Sequence, residues 1–249
     1  MDGVKMSPFG DAAIRIQFGS VLSKELNQTI RSFSQQLQQE DLRGVTEWVP
    51  TYTAVTVFYQ PDKVSYQTLT QQLMSVYEEV KDSKVPPAKV IYIPTYYGGD
   101  VGPDLSYVAE RNHLSVDEVI SIHSNQPYLI YMIGFTPGFP YLGGMSKKIA
   151  TPRLESPRAK VPAGSVGIAG EQTGVYSLDT PGGWQIIGKT PVKLYDHTRT
   201  EPVLLEAGNY LKFYSVTKEE YQAIEEQIEN NTYQLKQEWM EEANDESSN

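Results

Sequence analysis

The chain of 249 residues contains no cysteine. This absence excludes disulfides, thiolate nucleophiles and cysteine-ligated zinc or iron–sulfur centres. Apolar runs of membrane-spanning length are missing as well, and the N-terminal MDGVKMSPFGD lacks the basic-then-apolar pattern of a secretory signal. The absence of cysteine does not fix the compartment, but the other two absences predict a cytoplasmic protein with no membrane partner.

An excess of positive charge is also missing. The formal net charge is −10, and residues 217–249 hold ten acidic residues against two lysines. The other 216 residues are nearly balanced, with 21 acidic and 19 basic side chains. Because a phosphate backbone demands a basic face, nucleic acid is not expected as a partner.

Histidine is scarce, with three in the chain, and no H-x-x-x-H or H-x-E pattern suggests a metal site. No G-x-S-x-G elbow supports a serine hydrolase. His123, at the end of a predicted helix, is the best-placed group to move a proton near neutral pH. The alternative is a structural histidine at a helix end or in the core.

Residues 1–87 alternate strands with helices and predict a small α/β domain. Period-two and helical spacings place these elements at Ala13–Phe18, a helix after Ser23, Val45–Val49, Ala54–Tyr59 and a helix after Ser65. With Val90–Ile93 added, this order is that of a ferredoxin-like split β-α-β unit. Pro86-Pro87 marks the linker.

Residues 88–216 predict a second domain that is mainly β. Two short helices are expected at Asp104–Arg111 and Ser115–His123, the second opened by a capping box with Glu118. Short strands are expected at Tyr128–Ile133, Ser165–Ala169, Val175–Leu178, Trp184–Ile187, Val192–Tyr195, Val203–Leu205 and Tyr210–Val216. Many short strands with Gly/Pro turns favour a closed or nearly closed β-barrel, so the fold class is α+β.

The acidic segment 217–249 is predicted to be helical from Lys218 to Ala243. It has few apolar positions, which suits a solvated helix laid on the body; the alternative is a surface for a partner. The last five residues, DESSN, are expected to fray.

The segment Gly134–Gly188 holds eleven of the nineteen glycines and six prolines. Glycine permits close backbone approach, whereas proline fixes φ, so the density predicts shaped turns around a cleft. Aromatic residues either wall an apolar pocket there or fill the barrel core; they are Phe135, Phe139, Tyr141, Tyr176 and Trp184.

Cations lie beside these turns. Arg153 and Arg158 each follow a proline, which stiffens the backbone and so fixes the direction of the side chain. A guanidinium is a rigid planar group suited to a carboxylate or phosphate, and Lys160 adds a third positive charge. The alternative is that the arginines tie loops through backbone carbonyls and Glu155 or Asp179. Gln172-Thr173, between two glycines, suits hydrogen bonds to a small polar ligand, although a plain β-turn would look the same.

A literal phosphate-loop match, GWQIIGKT, begins at Gly183. A working loop of this type follows a strand and opens a helix. Here the central residues are bulky and apolar, and Pro191 with the β-rich VKLY comes next. We therefore interpret the match as a strand.

Several strings in order resemble the family of 5-oxoprolinase B subunits, which includes the Kip-type sporulation-kinase inhibitors and was formerly called allophanate hydrolase subunit one. They are YYGGDVGPDL from Tyr96, IGFTPGFPYLGG from Ile133, TPR…SPRAKVPAGSVGIAG from Thr151, QTGVY from Gln172 and TPGGWQIIGKT from Thr180. The likeness covers about Phe9 to Val216, and the acidic tail lies outside it.

The resemblance implies a small α/β domain followed by a cyclophilin-like β-barrel. It implies a B-type subunit, inactive alone, that pairs with a C-type subunit and acts with an A-type subunit to open 5-oxoproline to glutamate with ATP hydrolysis. ATP, with Mg²⁺, would bind at a site that a partner subunit can share. The alternative within the family is a protein that binds a sensor histidine kinase and blocks its autophosphorylation.

Phosphorylation of a lactam oxygen needs cations for the phosphoryl group and donors for the developing charge. For such a site the resemblance implies catalytic roles for His123, Arg153 and Arg158. The substrate-binding residues expected around them are Lys160, Gly164, Ser165, Gln172, Thr173, Tyr176, Phe135, Tyr141 and Trp184. No residue is predicted to bind a metal.

Overall fold

The structure is a computed structural model that describes residues 4–81 and 87–240. The chain divides into two compact units, Met1–Pro87 and Ala88–Asn249. Among the described residues, no helix has the length and apolar character needed to cross a membrane.

The first unit is a four-stranded sheet with two helices. Its elements are β1 (Lys5–Pro8), β2 (Ala13–Gln17), α1 (Lys24–Glu40), β3 (Val45–Pro50), β4 (Ala54–Tyr59) and α2 (Tyr66–Val80). The strand order is β1-β2-β4-β3, with every neighbouring pair antiparallel. Because β4 lies between β2 and β3, the predicted split β-α-β arrangement is confirmed.

Local signals explain the helices of this unit. The Ser23 side chain accepts a hydrogen bond from the Leu26 amide at 3.1 Å, and Ser65 caps α2 in the same way. Both helices cover the sheet with apolar stripes, which join Ile14, Ile16, Val55 and Val57 in one core.

The predicted contribution of Val90–Ile93 to this first sheet is wrong. Those residues belong to β5 (Lys89–Tyr97) of the second unit, where β13 (Tyr210–Ser215) pairs with them in parallel. The sheet edge beside β2 is taken instead by β1, which precedes β2 in the chain.

The second unit is a mixed barrel with helices outside it. Its remaining elements are α3 (Leu105–Arg111), α4 (Val116–Ser124), β6 (Tyr128–Ile133), β7 (Pro140–Gly143), β8 (Arg158–Val161), β9 (Ser165–Ala169), β10 (Gln172–Val175), β11 (Thr180–Gly182), β12 (Gln185–Lys189), α5 (Lys218–Glu229) and β14 (Gln237–Trp239). The main strand order is β10-β9-β12-β5-β13-β6-β7. Since β7 and β10 lie beside each other, the sheet nearly closes, as predicted.

Three predicted strands differ from the structure. Val175–Leu178 is replaced by β10, which begins three residues earlier and ends at Val175. Val192–Tyr195 and Val203–Leu205 form no strand and meet in a single bridge between Tyr195 and Val203. Each of these two segments follows a proline, which has no amide hydrogen for a ladder.

The acidic tail is not one long helix. α5 ends at Glu229, and Asn231 takes a left-handed φ of 55°, a conformation that asparagine tolerates at helix ends. The chain then returns as β14, antiparallel to β5. The rest of the predicted helix, from residue 241 to Ala243, and the expected frayed DESSN lie outside the described residues.

The described tail packs on the barrel through Tyr221, which is 8% exposed and contacts the Tyr96 ring at 6.2 Å. We expect Tyr221→Ala to lower the free energy of unfolding of the barrel by about 2–4 kcal/mol, because a buried aromatic ring is lost. Tyr107→Ala, at a side chain 47% exposed on α3, is the matched control. Equal urea midpoints for the two variants would contradict this packing.

Candidate active site

The glycine-rich segment and its neighbours form a pocket of about 410 Å³ on the barrel. It is lined by Phe135, Phe139, Tyr141, Arg153, Pro157, Gln172, Tyr176, Pro181, Gly182, Gly183 and Trp184. These residues come from the β6–β7 loop and β7, the loop before β8, β10 and the residue after it, and β11 with the β11–β12 connection. The predicted cleft therefore lies where distant short strands meet.

The aromatic residues both fill the interior and wall the pocket. Phe139, Tyr176 and Trp184 are at most 9% exposed and join one apolar cluster. Phe139 meets the Trp184 ring edge-to-face at 5.7 Å and the Tyr176 ring at 5.9 Å, the arrangement that aromatic quadrupoles favour. Phe135 is 68% exposed, 5.6 Å from the Phe139 ring, and has a φ of 65°. Both sequence interpretations thus hold for different rings.

One position in the pocket wall has no room for a side chain and therefore needs glycine. A β-carbon on Gly182 would lie 2.2 Å from the Tyr176 hydroxyl oxygen. Burial raises the pKa of Tyr176, while the backbone of Trp184 and the nearby Arg153 and Arg158 oppose this shift. The hydroxyl therefore stays protonated in the wall of the pocket.

Arg153 is the charged side chain of the pocket. Its guanidinium carbon lies 5.9 Å from the centre of the Trp184 ring, in a cation–π contact. The residue is exposed, and among residues 4–81 and 87–240 no carboxylate pairs with it. This arginine can therefore receive an anion, and its catalytic role stays a prediction.

Arg158 does not share that role. Its Nη2 donates to both carboxylate oxygens of Asp104, at 2.7 and 2.8 Å, and its Nη1 donates to the Trp184 carbonyl at 3.1 Å. Asp104 also accepts from the Ile186 amide at 2.6 Å. The loop-tying alternative fits this side chain, with Asp104 in place of the Glu155 or Asp179 that the sequence suggested, so the catalytic expectation for Arg158 is corrected.

Lys160 is also paired away from the pocket. Its Nζ lies 2.7 Å from a carboxylate oxygen of Asp179, and the hydrogen bond from Lys160 lowers the pKa of that aspartate. The Gly164 amide donates to the Tyr176 carbonyl at 2.7 Å, and the Ser165 amide to the Pro162 carbonyl at 3.2 Å. Lys160 lies outside the pocket lining, and both amides donate within the chain.

His123 lies inside the barrel, with no exposed surface. Its Nδ1 is 2.7 Å from the Tyr97 hydroxyl and its Nε2 is 2.7 Å from Thr173 Oγ1. Burial lowers the pKa of His123 to about 3, and its ring packs on Phe213 at 4.5 Å. A group without access to the pocket cannot exchange a proton with a ligand there, so the structural alternative fits His123.

Thr173 belongs to the same buried network. It is 1% exposed, and its hydroxyl donates to the Gly167 carbonyl at 3.0 Å. Thr173 lies in β10 opposite Ile168 and not on the expected turn. Of the predicted Gln172-Thr173 pair, Gln172 lines the pocket and Thr173 does not.

The comparisons with known proteins agree with one another. Residues 4–205 match the family described as "Carboxyltransferase domain, subdomain C and D". The chain is 44% identical to the 5-oxoprolinase B subunit of Bacillus subtilis over 235 residues, 90% of this chain and 97% of the relative. It is 40% identical to the 5-oxoprolinase B subunit of Haemophilus influenzae, over 83% and 95% of the two chains. The chain belongs to the family of 5-oxoprolinase B subunits.

A solved structure supports the fold of this family member. TTHA0988 superposes with a TM-score of 0.73 at 33% identity, covering 82% of this chain and 40% of that longer chain. The α+β architecture, a small N-terminal sheet followed by a nearly closed mixed barrel, is thereby shown.

Sequence reasoning missed Asp104, the partner of Arg158. Asp104 lies in the family string YYGGDVGPDL, where the sequence supported only a helix start. Its role appears only in the folded structure, where the Ile186 amide of β12 and the Arg158 guanidinium both donate to it. Pro157 and Pro181 of the pocket were missed too, because apolar wall residues carry no separate signal.

Membership of this family implies that ATP and Mg²⁺ take part in the reaction. The described residues of this chain do not fit these groups. GWQIIGKT is largely strand β12, as interpreted, with a backbone oxygen of Tyr96 only 2.6 Å from where a β-carbon on Gly188 would lie. The described ranges hold no group of three metal-ligating side chains. With one cation in its lining, this pocket does not suit a triphosphate.

Proposed function

We propose that this chain is the B-type subunit of an ATP-dependent 5-oxoprolinase, which converts 5-oxoproline to L-glutamate with ATP hydrolysis. The observation that carries the proposal is the 44% identity across 97% of the Bacillus subtilis relative. A match over nearly the whole of both chains supports a shared role and not only a shared fold.

Lactam opening requires several positive and hydrogen-bonding groups around the reacting carbonyl. In the pocket of this chain one guanidinium, that of Arg153, is present. The other predicted groups are held in internal contacts: Arg158 by Asp104, and Lys160 by Asp179. We therefore assign this chain part of a site, with MgATP held by another subunit.

A C-type subunit is the direct partner in this proposal, and an A-type subunit completes the enzyme. The relatives are named as subunits, which supports assembly. In TTHA0988 this fold accounts for 40% of a longer chain, consistent with a B-type half joined to further protein. The pocket's arginine and glutamine favour a small polar ligand over the apolar helix face that a kinase-docking protein would recognise.

The test is reconstitution from purified A-type, B-type and C-type chains. We expect glutamate release from 5-oxoproline and ATP only when this chain is present, because the pocket supplies part of the site. The measurement is glutamate formed with time, and an unrelated acidic protein of similar size replaces this chain in the control. Equal rates with and without this chain would end the proposal.

A further inference from the structure

The charge of the pocket defines the class of ligand. Its lining includes one arginine and no acidic side chain. The neighbouring cations are neutralised, Arg158 by Asp104 at 2.7 Å and Lys160 by Asp179 at 2.7 Å. A pocket with one uncompensated positive charge suits a monoanion and not a nucleotide triphosphate.

The walls define the shape of that ligand. Trp184, Phe139 and Tyr141 present ring surfaces, and the volume of about 410 Å³ holds a small ring with room for a substituent. The guanidinium carbon of Arg153 lies over the Trp184 ring at 5.9 Å. The planar fork of N–H groups that an arginine carries suits a carboxylate. The binding carboxylate therefore lies next to an aromatic surface.

Besides Arg153, the lining carries the hydroxyls of Tyr141 and Tyr176 and one amide side chain, that of Gln172. Gln172 lies in β10 and is partly exposed. A glutamine side chain carries both a donor and an acceptor, the complement of a lactam, which presents an N–H beside a C=O. A ring with one carboxylate and one lactam thus matches the arginine, the aromatic walls and the amide together.

We propose that this pocket binds 5-oxoproline, with Arg153 pairing its carboxylate, the ring on Trp184 and Phe139, and Gln172 facing the lactam. The proposal rests on the proposed function for the identity of the substrate. It assigns substrate recognition to this chain, and leaves the nucleotide to its partners.

The test is a direct titration of the full chain, alone and mixed with its C-type partner, followed by the NMR signal of the Trp184 indole. Trp184→Phe identifies that signal among the three tryptophans. We expect 5-oxoproline to shift it saturably. Cyclopentanecarboxylate, which lacks the lactam, and 2-pyrrolidinone, which lacks the carboxylate, should each bind at least about tenfold more weakly.

Arg153→Ala should raise the Kd for 5-oxoproline about ten- to hundredfold, since a charge-assisted hydrogen bond is lost. Arg153→Lys should recover only part of the affinity, because lysine lacks the planar fork. Arg111→Ala removes another exposed guanidinium, on α3 and outside the pocket lining, and should leave the Kd unchanged.

The inference fails if the Trp184 signal does not respond in either preparation, or if Arg153→Ala binds as tightly as the parent chain. Turnover that depends on this chain, with a KM for 5-oxoproline unaltered by Arg153→Ala, would overturn the inference and keep the proposed function. Selective 5-oxoproline binding without any contribution to turnover would overturn the proposed function and keep the pocket assignment.

Discussion

His123→Gln is expected to lower the free energy of unfolding of the barrel at pH 7.5. That free energy should also fall less between pH 6.5 and 5 in the variant than in the parent chain. Native His123 is neutral, because burial lowers its pKa to about 3 from the ordinary 6.5. The unfolded chain takes up a proton at this residue below pH 6.5. The contribution of neutral His123 to the free energy of unfolding is therefore complete above pH 6.5. It falls by about 1.4 kcal/mol per pH unit as the pH drops from there toward the pKa of the folded state.

At pH 7.5 the variant should be about 2–4 kcal/mol less stable, because hydrogen bonds to Tyr97 and Thr173 and the contact with Phe213 are disturbed. Since glutamine does not titrate, the difference from the parent chain should narrow as the pH falls. Native-state hydrogen exchange of β5 and β13 amides reports the free energy of unfolding of the barrel at each pH.

His197→Gln is the matched control, because His197 is exposed. It should leave both the stability and its pH dependence unchanged. If the parent chain and His123→Gln lost stability in parallel between pH 6.5 and 5, the buried neutral state of His123 would be wrong.

Local chemistry made much of the fold predictable. Ser23, Ser65 and Ser115 each cap a helix at the predicted position, because a cap depends on residues within one turn. The missed strands are short and depend on distant partners. β8 and β11, for example, have four and three residues and pair only with each other. A strand of that length has too little periodicity to be recognised alone.

The candidate site was predictable in its walls and not in its charges. The aromatic residues and Arg153 meet as expected, because glycine density and rigid proline–arginine steps are visible in the sequence. The partners of Arg158 and His123 are not visible. Asp104 lies 54 residues before Arg158, and Thr173 lies 50 residues after His123. Folding brings each pair together, so the sequence could not show that these side chains have internal partners.

Arg158→Ala is expected to lower the free energy of unfolding of the barrel by about 2–3 kcal/mol, because the partly buried Asp104 loses its charged partner. The Trp184 carbonyl loses a donor as well, so the pocket wall should loosen. Arg158→Lys should recover little, since an ammonium cannot hold the carboxylate and the carbonyl through one planar fork. Chemical unfolding measures the loss, and the Trp184 indole signal measures the change in the wall.

A double-mutant cycle with Asp104→Asn separates pairing from the loss of either side chain. We expect a coupling energy of at least about 1 kcal/mol between Arg158 and Asp104. Lys160→Ala removes a charge from the exposed pair with Asp179 and should change stability little, which makes it the control. An Arg158→Ala chain with full stability and an unchanged Trp184 signal, but without turnover in the reconstituted enzyme, would instead return Arg158 to the reaction. The guanidinium would then have to leave Asp104 during the catalytic cycle.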